Sequence, residues 1–412
     1  MLQRPPAKRL IVLAGQSNAG WPLQAFDHQP WPAPPGHCFS QLQSTASGAV
    51  SALHWTSQAK GSVSALSYYL SQALVALTPT AAQLPASNGL TGWRETAFLD
   101  LSYPGSSLDA WLPAQQTSAA GEPPHFSKAW QAGALWQQRL QAALALQPDA
   151  LIWYQGEQDA MNKTLQADQW RQQLRRWLSV VRCDYQGPLL AIQLAGFGTN
   201  RPQPDARFAA IRQQQAEIFY SAPGCQLVTA ADLGHASDIH LGDKAQLARR
   251  LAHALTQAAT PAKTTSAVAT MDWPALQLQL PAGHWQQGQL VSSAEWVDST
   301  GPTPLLGWLA DGRTVPLVAT AITAADSICA TPPATDLSNT QPPGKRLPSQ
   351  RLQITLPPQI AASALQAVAY GWANRPALCW YQQADRATPH KTQQPLYLPL
   401  LPWRWIRPAC PK

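Results

Sequence analysis

Over residues 9–258, short apolar runs alternate with longer segments whose apolar residues recur at helical spacing. The short runs fall at Arg9–Ala14, Thr96–Leu101, Ala150–Tyr154, Leu189–Leu194 and Gln226–Ala231. Each is rich in Val, Ile, Leu or aromatics and ends in Gly or polar residues. Runs of this length without polar alternation suit strands buried on both faces. Between them, Ser64–Leu77, Phe126–Leu146, Leu165–Val181, Asp205–Tyr220 and Asp243–Leu255 predict helices; the third carries Leu165, Trp170, Leu174 and Leu178 on one stripe. Strand–helix alternation predicts an α/β domain with a central parallel sheet and helices on both faces. In such a sheet ligands bind beyond the carboxyl ends of the strands.

The pattern changes after Leu255. Thr256–Val268 is rich in Ala and Thr, contains Pro261 and reads as a linker. From Asp272 the segments become short and strand-like, at Leu276–Leu280, Gln289–Val291, Arg351–Leu356, Ala367–Gly371 and Ala377–Tyr381. Pro-rich turns such as Thr331–Pro333 and Gln341–Gly344 separate them, and Ala330–Ser349 reads as an exposed loop. This organisation predicts a domain over residues 1–260, a linker over 261–271 and a small β-rich, sandwich-like domain over 272–412.

Composition narrows the function classes. The 412 residues are 45% hydrophobic and 12% charged, as in a globular chain that uses Gln, Ala, Ser and Pro on its surface. The net charge is +7, yet basic residues form no long run; Arg171, Arg175 and Arg176 sit at helical spacing and read as a solvated helix face. With neither a basic stripe nor a recognised motif, no nucleic-acid partner is expected. No apolar run approaches the ~20 residues of a membrane span. Leu10–Leu13 is too short for a signal peptide and lacks a small-residue cleavage site, so the expectation is a cytoplasmic protein, or a periplasmic or secreted one whose leader is missing. The 6 cysteines include no Cys-x-x-Cys pair, and no metal or other cofactor is expected. Cys183 and Cys225 each precede an expected strand and are candidates for a disulfide, with free thiols as the alternative.

The candidate chemistry lies at strand ends. Gly15-Gln16-Ser17-Asn18 follows the first strand, which delivers Ser17 to the ligand-binding edge. If a helix starts there, its N–H groups favour an oxyanion. Taken alone, Ser17 fits a helix N-cap better than a nucleophile. A serine hydroxyl needs a base, and His240 in Asp238-Ile239-His240 follows the last expected strand and precedes a helix. Asp238 is placed to hold its imidazole; His235 and Asp232 are nearby competitors. After the third strand, Trp153-Tyr154-Gln155-Gly156-Glu157 supplies the Gln155 amide as an oxyanion donor and Glu157 as a loop organiser. After the second, Gly105 offers a backbone N–H unobstructed by a Cβ. Each reading is weak alone. Together they place a nucleophile, oxyanion donors and an Asp–His pair on one sheet edge, as acyl transfer requires.

The same residues resemble a known family. Gly-Gln-Ser-Asn at 15–18, Trp-Tyr-Gln-Gly-Glu at 153–157, and Asp-Ile-His at 238–240 followed by Lys244 and Arg250-Leu251-Ala252 are similar to the blocks of the sialate O-acetylesterases. These belong to the SGNH hydrolases, which include acetylxylan esterases. A fainter similarity covers Val368–Pro376 and Leu396–Trp403. The resemblance implies an SGNH-type (flavodoxin-like) three-layer α/β/α fold. It also implies a Ser17–His240–Asp238 triad, an oxyanion hole of Ser17, Gly105 and Gln155, support from Gln16, Asn18 and Glu157, and removal of acetyl groups from sugar hydroxyls without a metal. The sequence departs at Pro104-Gly105-Ser106-Ser107, where the family often has Gly-Gly-Thr, and at Leu241, which replaces a common Pro. Trp21, Trp93 and Trp111 are candidates for a sugar-stacking wall; with 18 Trp in the chain, core packing is the alternative for each. Two other functions stay open: a carbohydrate-binding protein on an impaired esterase scaffold, and a lipase or thioesterase with the same triad.

Overall fold

In this computed structural model the described residues are all except 1–3, 6, 8, 27–33, 35, 42–54, 58–61, 78–92, 114–131, 164, 200–204, 258–268, 281–284, 293–294, 299–302, 312, 322–350, 371–379, 384–396, 400–401 and 408–412. Contacts divide the chain into two compact units, one over Met1–Arg201 and Asp205–Thr265, the other over Ser266–Trp372 and Pro376–Lys412.

The first unit is built on a six-stranded sheet: β1 (Arg9–Gly15), β2 (Cys38–Gln41), β3 (Thr96–Asp100), β4 (Ala150–Tyr154), β5 (Leu189–Gln193) and β6 (Cys225–Thr229). Every pairing is parallel, in the order β2-β3-β1-β4-β5-β6. Without the edge strand β2 this is the flavodoxin-like order, whose direction reverses between β1 and β4. The expected apolar runs form β1, β3, β4, β5 and β6. Leu10 to Ala14 are fully buried, as a strand covered on both faces demands. The edge strand β2 was not expected, because Cys38-Phe39-Ser40-Gln41 is short and carries a single large apolar residue. Phe39 anchors it by stacking on Phe98, ring centroids 5.5 Å apart.

The helices are α1 (Ser17–Gly20), α2 (Ala65–Leu77), α3 (Gln141–Leu144), α4 (Glu157–Met161), α5 (Ala167–Asp184), α6 (Arg207–Phe219) and α7 (Lys244–Gln257). Helix α2 packs against α7, and α5 against α6. The stripe expected on α5 is rotated: Trp170, Leu174, Trp177 and Val181 are the buried set, and Leu178 is only half-buried. Trp177 takes the inner position because its ring stacks on Trp153 of β4, centroids 4.0 Å apart. Arg175 and Arg176 face solvent, as the charge pattern required. Of the helix expected over Phe126–Leu146, residues 126–131 lie outside the described set; the rest contains a π-helical turn at Trp136–Leu140 that runs into α3.

The second unit is all-β. A seven-stranded antiparallel sheet has the order β17-β14-β11-β12-β13-β8-β7, and a four-stranded one the order β10-β9-β15-β16. The strands are β7 (Thr270–Asp272), β8 (Gln277–Gln279), β9 (Trp285–Ser292), β10 (Glu295–Asp298), β11 (Thr303–Leu309), β12 (Thr314–Ala321), β13 (Arg351–Thr355), β14 (Leu365–Tyr370), β15 (Trp380–Gln383), β16 (Tyr397–Pro399) and β17 (Trp403–Ile406). In β13, Leu352 and Ile354 point inward between exposed Arg351 and Thr355, the alternation of a sheet with one wet face. The expected loop Ala330–Ser349 and most of the linker fall outside the described residues. Of the two alternatives for Cys183 and Cys225, free thiols are what the structure has. Cys183 is exposed, and the Cys225 sulfur accepts a hydrogen bond from Arg182 at 3.3 Å.

Candidate active site

The site forms at the carboxyl ends of β1 and β4, where the strand order reverses. Gly15 ends β1 with φ +129°, and a Cβ there would sit 2.0 Å from the Tyr154 carbonyl oxygen, so only glycine fits. The chain then enters α1, a single turn. A Cβ on Gly20, its last residue, would meet Ser102 Oγ at 1.8 Å, so α1 lies tight against the chain leaving β3. Ser17 does not cap this turn. Gln16 occupies the N-cap position, with no side-chain cap bond, and Ser17 is the first helical residue.

The Ser17 hydroxyl instead meets His240, with Nε2 3.0 Å from Oγ. On the far side of the ring, His240 Nδ1 lies 3.3 Å from Asp238 Oδ1, which also accepts the His240 backbone N–H at 2.8 Å. The ring is mostly buried; the Asp238 carboxylate is 43% exposed. Burial pushes the imidazole pKa below its ordinary value, with Lys244 acting the same way and Asp238 against it. Both competitors have other roles. Asp232 is clamped by the fully buried Arg250 through two bonds of 2.7 Å, and exposed His235 accepts the N–H groups of Ser237 and Asp238 through Nδ1.

Beneath this line lies a buried polar cluster. Asn18 donates to Glu157 Oε1 at 2.7 Å and to the Ile239 carbonyl at 3.0 Å, while its own oxygen accepts from Lys244. Asn18 thus ties α1 to α4, to α7 and to the residue between Asp238 and His240. Burial drives the Glu157 pKa up and the Lys244 pKa down; the Asn18 bond and the attraction between the two charges oppose it. Gln16 Oε1 accepts the backbone N–H of Gln158 at 3.1 Å, joining the turns after β1 and β4.

The expected oxyanion donors are placed differently from one another. Gly105 sits exposed on a turn with φ +68°. The Gln155 side chain is fully buried, and its amide donates to Asp159 and, at 3.4 Å, to the Ser106 carbonyl. Asp159 was not read from the sequence: an acidic residue on the first turn of α4 looks like ordinary helix chemistry there. Burial pushes its carboxyl up to about 7, against the Gln155 bond. Gln215 of α6, also unread, donates to the Gln155 carbonyl at 3.1 Å.

The three tryptophans separate. Trp21 is half-buried, and its indole lies flat on the His240 imidazole, centroids 3.6 Å apart and planes 3° apart. Trp93 precedes β3 and so lies at the opposite, amino edge of the sheet, buried beneath the Arg9 guanidinium. Trp111 is fully buried, edge-on to Trp153, and donates to Ser106 Oγ at 2.9 Å. Neither buried indole has an open face for a sugar, which corrects that expectation for both. Among the described residues, no group of three or more His, Cys, Asp or Glu is arranged to hold a metal ion, and no helix is long and apolar enough to cross a membrane.

Residues 99–258 match the family model described as carbohydrate esterase, sialic acid-specific acetylesterase. The match includes Gln155, Glu157, Asp238, His240 and Lys244, and Ser17 lies before it. The resemblance read from the motifs is borne out over that span. No curated protein matches the chain. Among solved structures, a carbohydrate acetylesterase from Xanthomonas citri shares the fold at 19% identity and TM-score 0.65, over 96% of this chain and 80% of its own. A protein from Arabidopsis thaliana aligns at 16% identity and TM-score 0.38, over 61% of this chain and 98% of its own. A family two carbohydrate esterase from Clostridium thermocellum, in complex with cellohexaose, aligns at 13% identity and TM-score 0.34, over 62% of this chain and 66% of its own.

Proposed function

We propose that this protein is a carbohydrate O-acetylesterase that hydrolyses acetyl esters on sugar hydroxyls, with Ser17 as nucleophile, His240 as base and Asp238 as its orienting carboxylate. The observation that carries this reading is the 3.0 Å contact between Ser17 Oγ and His240 Nε2, with Asp238 on the other ring nitrogen. The matched carbohydrate-esterase family supplies the substrate class.

The proposed reaction runs as two acyl transfers. His240 Nε2 takes the Ser17 proton as Oγ attacks the acetyl carbonyl. The imidazolium then protonates the leaving sugar oxygen; a water deprotonated by the same nitrogen attacks the acetyl-enzyme, and the proton passes back to Ser17 Oγ as acetate leaves. The developing oxyanion is assigned to the backbone N–H groups of Ser17 and Gly105 and to the Gln155 amide. A donor of this kind is typically worth about 3–4 kcal/mol. For Gln155 to contribute, its amide must turn from Asp159 or Ser106. The single turn of α1 has little dipole to offer, so local N–H groups carry the stabilisation.

Acetate release from a panel of acetylated glycans tests the reading, with the Ser17→Ala variant as control. Release by the wild type alone supports it. Equal release by both proteins would remove Ser17 from the chemistry. Glycan binding without release from any acetylated sugar would favour an impaired esterase scaffold, and a preference for long acyl chains in nitrophenyl esters a lipase or thioesterase.

A further inference from the structure

We propose that Trp21 is a positioning residue for His240: its indole is the wall that holds the imidazole in the plane joining Asp238 to Ser17, rather than a platform for sugar. The inference rests on the triad reading above and deepens it.

The local sequence places this indole. Pro22 disfavours helical backbone at the residue before it, so α1 stops at Gly20 and Trp21 turns out with ψ 128°. The turned segment is pinned on both sides. Ser64 Oγ donates to the Ala19 carbonyl at 2.6 Å, and the Ala65 N–H donates to the Trp21 carbonyl at 2.9 Å. The ring is thereby delivered onto His240 with its plane 3° from parallel.

His240 needs such a wall. The bonds at its two nitrogens lie in the plane of the ring and resist tipping out of that plane only weakly. The bond to Asp238 is long, at 3.3 Å, and its carboxylate is 43% exposed, so water competes for it. A parallel indole at van der Waals distance blocks tipping on one side. It also offers a π face to the imidazolium formed when Ser17 gives up its proton. The charged groups around the ring are Asp238 on its own loop and Lys244 at the start of α7, with Glu157 behind Lys244 across Asn18. Of these, only Asp238 favours the imidazolium by direct contact.

Two measurements test this. The first is the NMR position of the His240 ring C–H signals, assigned by their loss in His240→Gln. A stacked indole shifts them upfield in the wild type, and Trp21→Leu removes the shift. The second is kinetic. Trp21→Leu is expected to lower kcat by about 10²-fold, the scale of a ring displaced by ~1 Å. The factor should be the same for 4-nitrophenyl acetate and an acetylated sugar, with KM nearly unchanged, and Trp21→Phe should restore most of it. A rise in KM confined to the sugar ester, with kcat intact, would make Trp21 a sugar platform and overturn the proposal. So would unshifted His240 signals in the wild type. If the wild type hydrolyses no ester, the functional reading fails by itself, and the NMR shift still decides the stack.

Discussion

The two edges of the parallel sheet share their strands and treat polar side chains in opposite ways. At the amino edge, Asp149 sits between Arg4 and Arg9, bonding the latter at 2.7 Å and the Leu10 N–H at 2.8 Å. These groups are partly wet, and each charge has an ordinary surface partner. At the carboxyl edge, Asn18, Glu157, Asp159, Lys244 and Gln155 are buried, and three of them titrate. Taking charge out of water costs free energy that an ion pair seldom returns in full. An edge that only joined strands would use the cheaper arrangement, as the amino edge does. The buried cluster therefore marks where the fold spends stability on geometry: it fixes the backbone of the Asp238–His240 loop beside Ser17.

The largest expected difference between the edges is catalytic. Ser17→Ala should lower turnover of acetyl esters by about 10⁴-fold or more with thermal unfolding unchanged. Retained turnover in a normally folded variant would dissolve the contrast.

Next comes the buried cluster. Lys244→Met leaves Glu157 without its compensating charge and should destabilise by roughly 3–5 kcal/mol in urea unfolding above neutral pH. The sign with pH is set by Glu157, whose folded pKa is raised. The cost is largest between that pKa and the lowered Lys244 pKa of about 8; it falls away as pH drops and the carboxyl takes up a proton, and again at higher pH, where the wild-type ammonium is itself lost. A penalty that grows as pH falls through the Glu157 pKa would contradict this arrangement.

A third effect is smaller. The base must be neutral to act, so kcat/KM should fall as pH drops through the His240 pKa. Because burial lowers that pKa, the midpoint of the acid limb should lie below the ordinary imidazole value of about 6.5. A midpoint above that value would mean that the carboxylate, not burial, governs the ring.

The smallest effect belongs to the amino edge. Arg4→Ala removes one exposed partner of Asp149 and should cost about 0.2–1 kcal/mol, with no change in kcat/KM. A catalytic defect in that variant would show the two edges to be coupled.

Much of this was legible in the chain because it depends on local pattern. Unbroken apolar runs at 10–14, 150–154 and 189–192 are strands that only a double-sided burial accepts, and the residues just beyond a parallel strand must lie on one edge. That logic alone brought Ser17, Gln155 and the Asp238–His240 pair to the same side of the sheet. The period of α5 was legible too, although not its phase, because Trp177 turns inward to meet Trp153. The second unit was legible in kind and less so in detail. Its strands alternate and are held by partners distant in sequence, so β11, β12 and β17 have no local signature strong enough to stand alone.

What tertiary structure decided was partnership. The sequence paired Asp238 with His240 but left Asp232 as a competitor on the same loop; only the folded chain shows Asp232 held by Arg250. A Trp count likewise does not distinguish Trp93, at the amino edge, from Trp21, flat against the imidazole. Hydrophobic periodicity is a property of neighbouring residues and survives in the sequence. Hydrogen bonds and ring stacks join residues hundreds of positions apart, such as Ser17 and His240, and exist only when the folded backbone brings them within about 3–4 Å. The chain by itself determined which edge of the sheet would gather the candidate site residues. The folded molecule decided which side chains on that edge face one another.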